Sequence, residues 1–260
     1  MALITCQFYS ETLSMSTAMT VILPQQSGSQ IGIDGRVGLA QKHKTLYLLH
    51  GFSDDHTIWT RHTPIERYVA ELGIAVVMPN CHHSFYTDME QGGRYWTFLT
   101  EELPAVARSF FPLSEAREDN FVAGLSMGGY GAFKWALSYP DRFAAAGSFS
   151  GALDIVSHTK EFQAYEHLKR AFQLIYGGRN VAGTGDDLLQ LLAREAGRDE
   201  AKPLLYQSCG TSDFLYEGNL TFRETCRDLG RELTYEEGPG DHNWAYWDEQ
   251  IRAFLKWLPL

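Results

Sequence analysis

Basic residues are the scarcer charge in this chain. Lys and Arg number 22 against 32 Asp and Glu, a net charge of −10 over 260 residues. Such a surface repels phosphate backbones and anionic headgroups, so neither nucleic acid nor membrane is an expected partner. Long apolar runs are missing too. None approaches the roughly 20 residues that a spanning helix needs. The opening stretch MALITCQFYSETLSMS has no basic region leading into an apolar one, so no secretory leader is read there and a cytoplasmic protein is expected. Cysteine is sparse: Cys6, Cys81, Cys209 and Cys226, with no CxxC pair. Thiols scattered this way are expected to stay free, since neither a disulfide framework nor a zinc site has this spacing. Internal repeats and low-complexity tracts are absent. A homo-oligomer is compatible with such a chain.

What is present is an alternation of short apolar runs with helical patterns. Strands are expected at Thr45–Leu49, Ile74–Met78, Asn120–Ala123, Ala144–Phe149, Leu204–Ser208 and Glu232–Tyr235. Their continuous apolar character suits a sheet covered on both faces. Helices are expected at Pro64–Leu72, Tyr95–Phe110, Met127–Tyr139, Glu217–Leu229 and Trp244–Leu258, with Pro140 ending the third and Gly230 following the fourth. The segments Leu3–Tyr9 and Thr17–Leu23 read as an antiparallel start to the sheet, and 25–38 and 177–187 as loops. The alternation predicts one α/β domain over 1–260, a mostly parallel central sheet with helices on both faces. Residues 152–200 break the rhythm and are read as a small cap insertion, with a helical patch at Asp187–Ala196.

Gly124-Leu125-Ser126-Met127-Gly128 is a GxSxG motif between a strand pattern and a helix pattern. A serine on so sharp a turn needs small neighbours, because the backbone there is strained and close-packed. The following helix points its positive end at the reacting oxygen. A serine nucleophile also needs a base and an orienting acid, which on this architecture come later in the chain in the order acid, then histidine. His242, in the loop Gly238-Pro239-Gly240-Asp241-His242-Asn243-Trp244, is the expected base; His158 and His167 fall in the cap and read as surface residues. Asp213 follows a strand end and is the expected acid. Asp186 and Asp187 lie in the cap. Asp241 is adjacent to the histidine and badly placed to hold its ring from behind. The oxyanion hole is expected from the backbone N–H groups of Met127 and Phe52, the second in the loop His50-Gly51-Phe52-Ser53, which His50 braces.

A metallohydrolase is the first rival reading. His50, Asp54, Asp55, His56, His82, His83 and Asp88 are close in sequence, but neither an HxHxDH-type nor an HExxH spacing occurs. No metal or other cofactor is therefore expected. A non-catalytic binding module on the same scaffold is the second; such a module is expected to lack a triad member, and all three are present. An acyl transferase shares the acyl-enzyme and differs only in the acceptor. Bulky aromatics fall near the expected site: Phe52, Trp59, Phe149, Phe214, Tyr216 and Trp244. Stiff rings shorten an acyl pocket, so Trp59, Phe149, Phe214, Tyr216 and Trp244 are expected to bind a small-molecule ester with an acyl chain of about two to six carbons.

With these residues in place, the sequence resembles the bacterial tributyrin esterases of the esterase D group, which includes the S-formylglutathione hydrolases and is related to the mycolyl transferases. The resemblance is carried by Tyr47-Leu48-Leu49-His50-Gly51, Val76-Val77-Met78-Pro79-Asn80, Glu101-Glu102-Leu103-Pro104, Ala123-Gly124-Leu125-Ser126-Met127-Gly128-Gly129-Tyr130-Gly131, Ser148-Phe149-Ser150-Gly151-Ala152, Asp213-Phe214-Leu215-Tyr216 and His242-Asn243-Trp244. It implies an α/β-hydrolase fold and hydrolysis of short-chain acyl esters. It also implies Ser126, Asp213 and His242 as the triad, with Phe52 and Met127 at the oxyanion hole. Thioester hydrolysis of S-formylglutathione and acyl transfer are the alternatives within that group. The resemblance is weakest over 152–200.

Overall fold

The computed structural model describes residues 1–25, 42–161, 164–197 and 201–260. All but the first residue of the loop expected at 25–38 lies outside them. Eight strands form one sheet: β1 (Ala2–Ser10), β2 (Met15–Leu23), β3 (Thr45–Leu49), β4 (Ala75–Pro79), β5 (Asn120–Leu125), β6 (Ala145–Phe149), β7 (Leu204–Gly210) and β8 (Thr234–Gly238). Their spatial order is β1-β2-β4-β3-β5-β6-β7-β8. The first two strands form an antiparallel hairpin, and β2 joins β4 antiparallel; the pairings from β4 through β8 are all parallel. This is the mostly parallel sheet of the α/β-hydrolase fold, as the alternating pattern predicts.

Helices fill the crossovers. Between β3 and β4 run α1 (Ile58–His62) and α2 (Ile65–Ala70). Between β4 and β5 run α3 (Tyr95–Thr97) and α4 (Leu103–Phe110), and α5 (Met127–Ser138) follows β5. The connection from β6 to β7 holds α6 (Ile155–Glu161), α7 (Glu166–Tyr176) and α8 (Leu188–Ala196). Last come α9 (Tyr216–Asp228) and α10 (Trp244–Trp257). The short α1 and α6 escape the sequence reading, as does α7, whose one-sided apolar stripe falls within the stretch that breaks the strand–helix rhythm.

Successive strand residues point to opposite faces, so each central strand feeds two cores. Tyr47, Leu49, Val77 and Val122 meet α4, α5, α8 and α9 on one side. Leu46, Leu48, Val76 and Phe121 meet α1, α2 and α10 on the other. That two-sided burial is why the strands read as continuous apolar runs. The helix expected as one piece at Tyr95–Phe110 is interrupted by a π-turn at Phe98–Glu102. Pro104 has no N–H to give to the Thr100 carbonyl one turn back. Arg142 donates to that carbonyl instead, at 2.5 Å. No described helix is long and apolar enough to cross a membrane.

Candidate active site

Ser126 sits at the end of β5 with φ 53° and ψ −118°, a left-handed conformation that L side chains rarely adopt. Neighbouring chain holds it there: its N–H donates to the Phe149 carbonyl at 2.9 Å, and its carbonyl accepts from Tyr130 and Ala152. The glycines of the motif make the turn feasible. A Cβ on Gly124 would lie 2.5 Å from the Gly128 backbone, and one on Gly128 would lie 2.5 Å from the Leu49 carbonyl oxygen. Strand and helix thus cross at a separation only glycine permits.

The ends of β7 and β8 bring the other partners. Thr211 and Ser212 donate backbone hydrogen bonds to Gly238 and Gly240, each at 2.9 Å, so the two loops run side by side. Asp213 is buried and also accepts from the Leu215 N–H. The His242 Nδ1 lies 2.9 and 3.0 Å from the two Asp213 oxygens, and its Nε2 lies 3.0 Å from Ser126 Oγ. An ionised carboxylate only accepts, so Nδ1 carries the ring proton and Nε2 is left to accept from the serine hydroxyl. Asp241 is spent elsewhere: its carboxylate accepts the His242 backbone N–H at 2.7 Å. The ring of His242 packs against Phe214 at 4.5 Å and edge-on against Trp247 at 4.9 Å between centroids. Trp247 is itself fixed by donating to Ser150 Oγ.

His50, at the end of β3, is buried. Its Nδ1–H donates to the Gly51 carbonyl at 2.7 Å, and its Nε2 accepts from the Cys81 N–H at 3.0 Å. Burial pushes its pKa down to about 4, against smaller opposing effects of the Gly51 bond and Asp55. A neutral imidazole therefore ties the loop carrying Phe52 to the loop after β4. Other members of the histidine–aspartate cluster lie nearby with partners of their own. His56 contacts Thr20, Asp55 accepts from Thr57, Asp88 accepts from Thr97, and His83 stacks on Phe52.

A cavity of about 440 Å³ opens at Ser126, walled among others by Phe52, Phe85, Phe214, His242 and Trp244. Three of the five expected substrate-binding aromatics, Trp59, Phe149 and Tyr216, are elsewhere. Trp59 and Phe149 are buried in the core beneath the sheet, where Trp59 Nε1 donates to the Leu49 carbonyl and its ring supports Trp244 at 5.2 Å. Phe149 is turned into that core by its register on β6, and Trp59 by its place on the buried side of α1. Tyr216 points its hydroxyl to Glu237 at 2.8 Å and is not part of the wall. The sequence reading missed Asp54, Phe85, Leu168 and Trp247 as walls. Trp247 lies one helical turn after Trp244, and Leu168 falls on the apolar stripe it shares with Phe172 and Ile175 of α7. His158, read as a surface residue, is buried on α6 and contacts Glu161.

A mostly parallel sheet of this order, with a serine on a strained turn at the end of its fifth strand, defines an α/β hydrolase. The chain belongs to the Esterase family, whose model matches residues 10–258, and is a carboxylic-ester hydrolase. An acetyl esterase of Caldicellulosiruptor saccharolyticus is 30% identical over 99% of this chain and 98% of its own. Two solved structures from Staphylococcus aureus are each 38% identical and cover 99% of this chain and 98% of theirs. They are the fluorophosphonate-binding serine hydrolase FphF, at a TM-score of 0.87, and an S-formylglutathione hydrolase, at 0.85.

Proposed function

We propose that this chain hydrolyses short-chain acyl esters, tributyrin among them, through a Ser126–His242–Asp213 triad. His242 takes the proton of Ser126 as its Oγ attacks the ester carbonyl. The alkoxide that forms on the carbonyl is stabilised by the N–H groups of Phe52 and Met127. Collapse expels the alcohol, to which His242 returns the proton, and leaves an acyl-enzyme. Water, deprotonated by His242, then releases the acid. The observation that carries this reading is the relay of contacts at 3.0 and 2.9 Å opening into the cavity. The protein is read as cytoplasmic and as one domain, with 152–200 as a cap that contributes Leu168 to the wall.

The 38% identity with an S-formylglutathione hydrolase favours a thioester as the second reading. Catalytic efficiency on acetyl, butyryl, octanoyl and palmitoyl esters and on S-formylglutathione separates the two. Acyl chains of about two to six carbons are expected to be best, because a methylene that meets the wall costs more than the ~0.8 kcal/mol its burial returns. Higher efficiency on palmitoyl than on butyryl esters refutes the short pocket. A large preference for the thioester moves the assignment.

A further inference from the structure

The cavity at Ser126 is one-sided in charge. Among the described residues that line it, Asp54 carries the single acidic side chain, and none is a lysine or arginine. Asp54 is held over the oxyanion loop: its Oδ2 lies 2.8 Å from where a Cβ on Gly51 would be, and its N–H bonds the Gly51 carbonyl at 3.3 Å. It also lines a neighbouring cavity of about 280 Å³ with His82, His83, Met89 and Tyr95, so it stands on the wall between the two. A substrate group reaching past the scissile bond in that direction meets this carboxylate. Partial burial weakens solvent screening there, and like charges brought together in a cleft repel strongly.

We infer that Asp54 sets the charge selectivity of the site: esters with neutral or cationic groups beside the scissile bond are accepted, and those bearing a carboxylate there are disfavoured. The inference rests on Ser126 as the nucleophile of this cavity. It places S-formylglutathione, a net-anionic tripeptide thioester, among the poor substrates.

Two matched pairs test it: 3-acetoxybenzamide against 3-acetoxybenzoate, which differ in leaving-group charge, and 4-nitrophenyl hexanoate against the mono-4-nitrophenyl ester of adipic acid, which differ in acyl charge. In at least one pair the anionic member is expected to have kcat/KM lower by about tenfold or more. Asp54→Asn is expected to shrink that ratio at least about threefold, and Asp54→Glu to preserve it. Should Asp54→Asn not fold, the wild-type ratio is followed from about 20 mM to about 0.5 M salt, where a Coulombic deficit shrinks. No deficit in either pair, or a deficit indifferent to both the variant and salt, overturns the inference. Ser126→Ala is the separate control: if it still turns over the neutral esters, the reading of the nucleophile has failed, and not that of Asp54.

Discussion

Ser126 combines a reactive position with an unfavourable conformation. Its φ of 53° is one that glycine adopts freely and other residues adopt at a cost of about 1–3 kcal/mol. Ser126→Ala is expected to lower kcat by several orders of magnitude with the fold intact. Ser126→Gly is expected to be as inactive but to melt above Ser126→Ala, because it relieves the turn. Calorimetry of the two variants checks this, and a Gly variant melting below the Ala variant means the turn is not strained. His50 makes a different prediction. Its folded pKa of about 4 lies below its ordinary value of 6.5, so the unfolded chain binds the extra proton first. The stabilisation is complete above about 6.5 and is lost as pH falls toward 4. It amounts to about 2 kcal/mol between pH 7 and 5. Urea unfolding at both pH values, with His50→Gln as the variant that flattens this part of the dependence, is the measurement.

At the scale of elements, α5 does more than follow Ser126. Lys134, two turns after Ser126 and buried, donates to the Tyr86 carbonyl at 2.9 Å and to Asp186 Oδ1 at 2.7 Å. Its ammonium also lies 4.3 Å from the centre of the Trp96 ring. Tyr130, one turn earlier, donates to the Asp186 carbonyl at 2.8 Å. Burial alone would raise the Asp186 carboxyl, but Lys134 and Arg179 outweigh it and hold it below its ordinary value. Tyr86 in turn donates to the His50 carbonyl. The elbow helix, the loop after β4 and the segment after β6 are thus locked to one another. Lys134→Met is expected to cost about 3 kcal/mol, since it strands a buried carboxylate beside a single remaining cation. Adding Asp186→Leu is expected to restore part of the loss. A urea titration of both variants decides it, and a single variant as stable as the parent refutes the lock.

At the scale of the molecule, a sheet buried on both faces and its helices enclose three of the four thiols. Cys81, Cys209 and Cys226 are buried and Cys6 is half-buried; all four are free. Burial raises each thiol, that of Cys226 up to about 12, so none is a ready thiolate near neutrality. A thiol reagent is expected to find at most Cys6 in the native protein and all four in guanidinium without reductant. Fewer than four in the unfolded chain would mean an oxidised pair. The melting temperature is expected to be indifferent to reductant.

The strand pattern, the helix ends at Pro140 and Gly230, and the trio Ser126, Asp213 and His242 that the structure brings into contact were legible in the sequence. Each rests on local rules: strand burial on two faces, chain termination by proline and glycine, and the geometry of a strand-to-helix turn. Asp241, adjacent to the histidine, is badly placed to hold its ring, and the structure brings Asp213 to the ring while Asp241 binds backbone. What tertiary structure alone decided is where side chains of equal character go. Trp59 and Trp244 look alike in sequence, yet one supports the core and the other walls the cavity. Asp54 entered the wall from a loop with no periodic signal, and Leu168 from a helix whose apolar stripe does not say what it packs against. The physical reason is that a local pattern specifies an element and its buried face, whereas the lining of a cleft at the strand ends is set by loops whose paths depend on contacts distant in the chain.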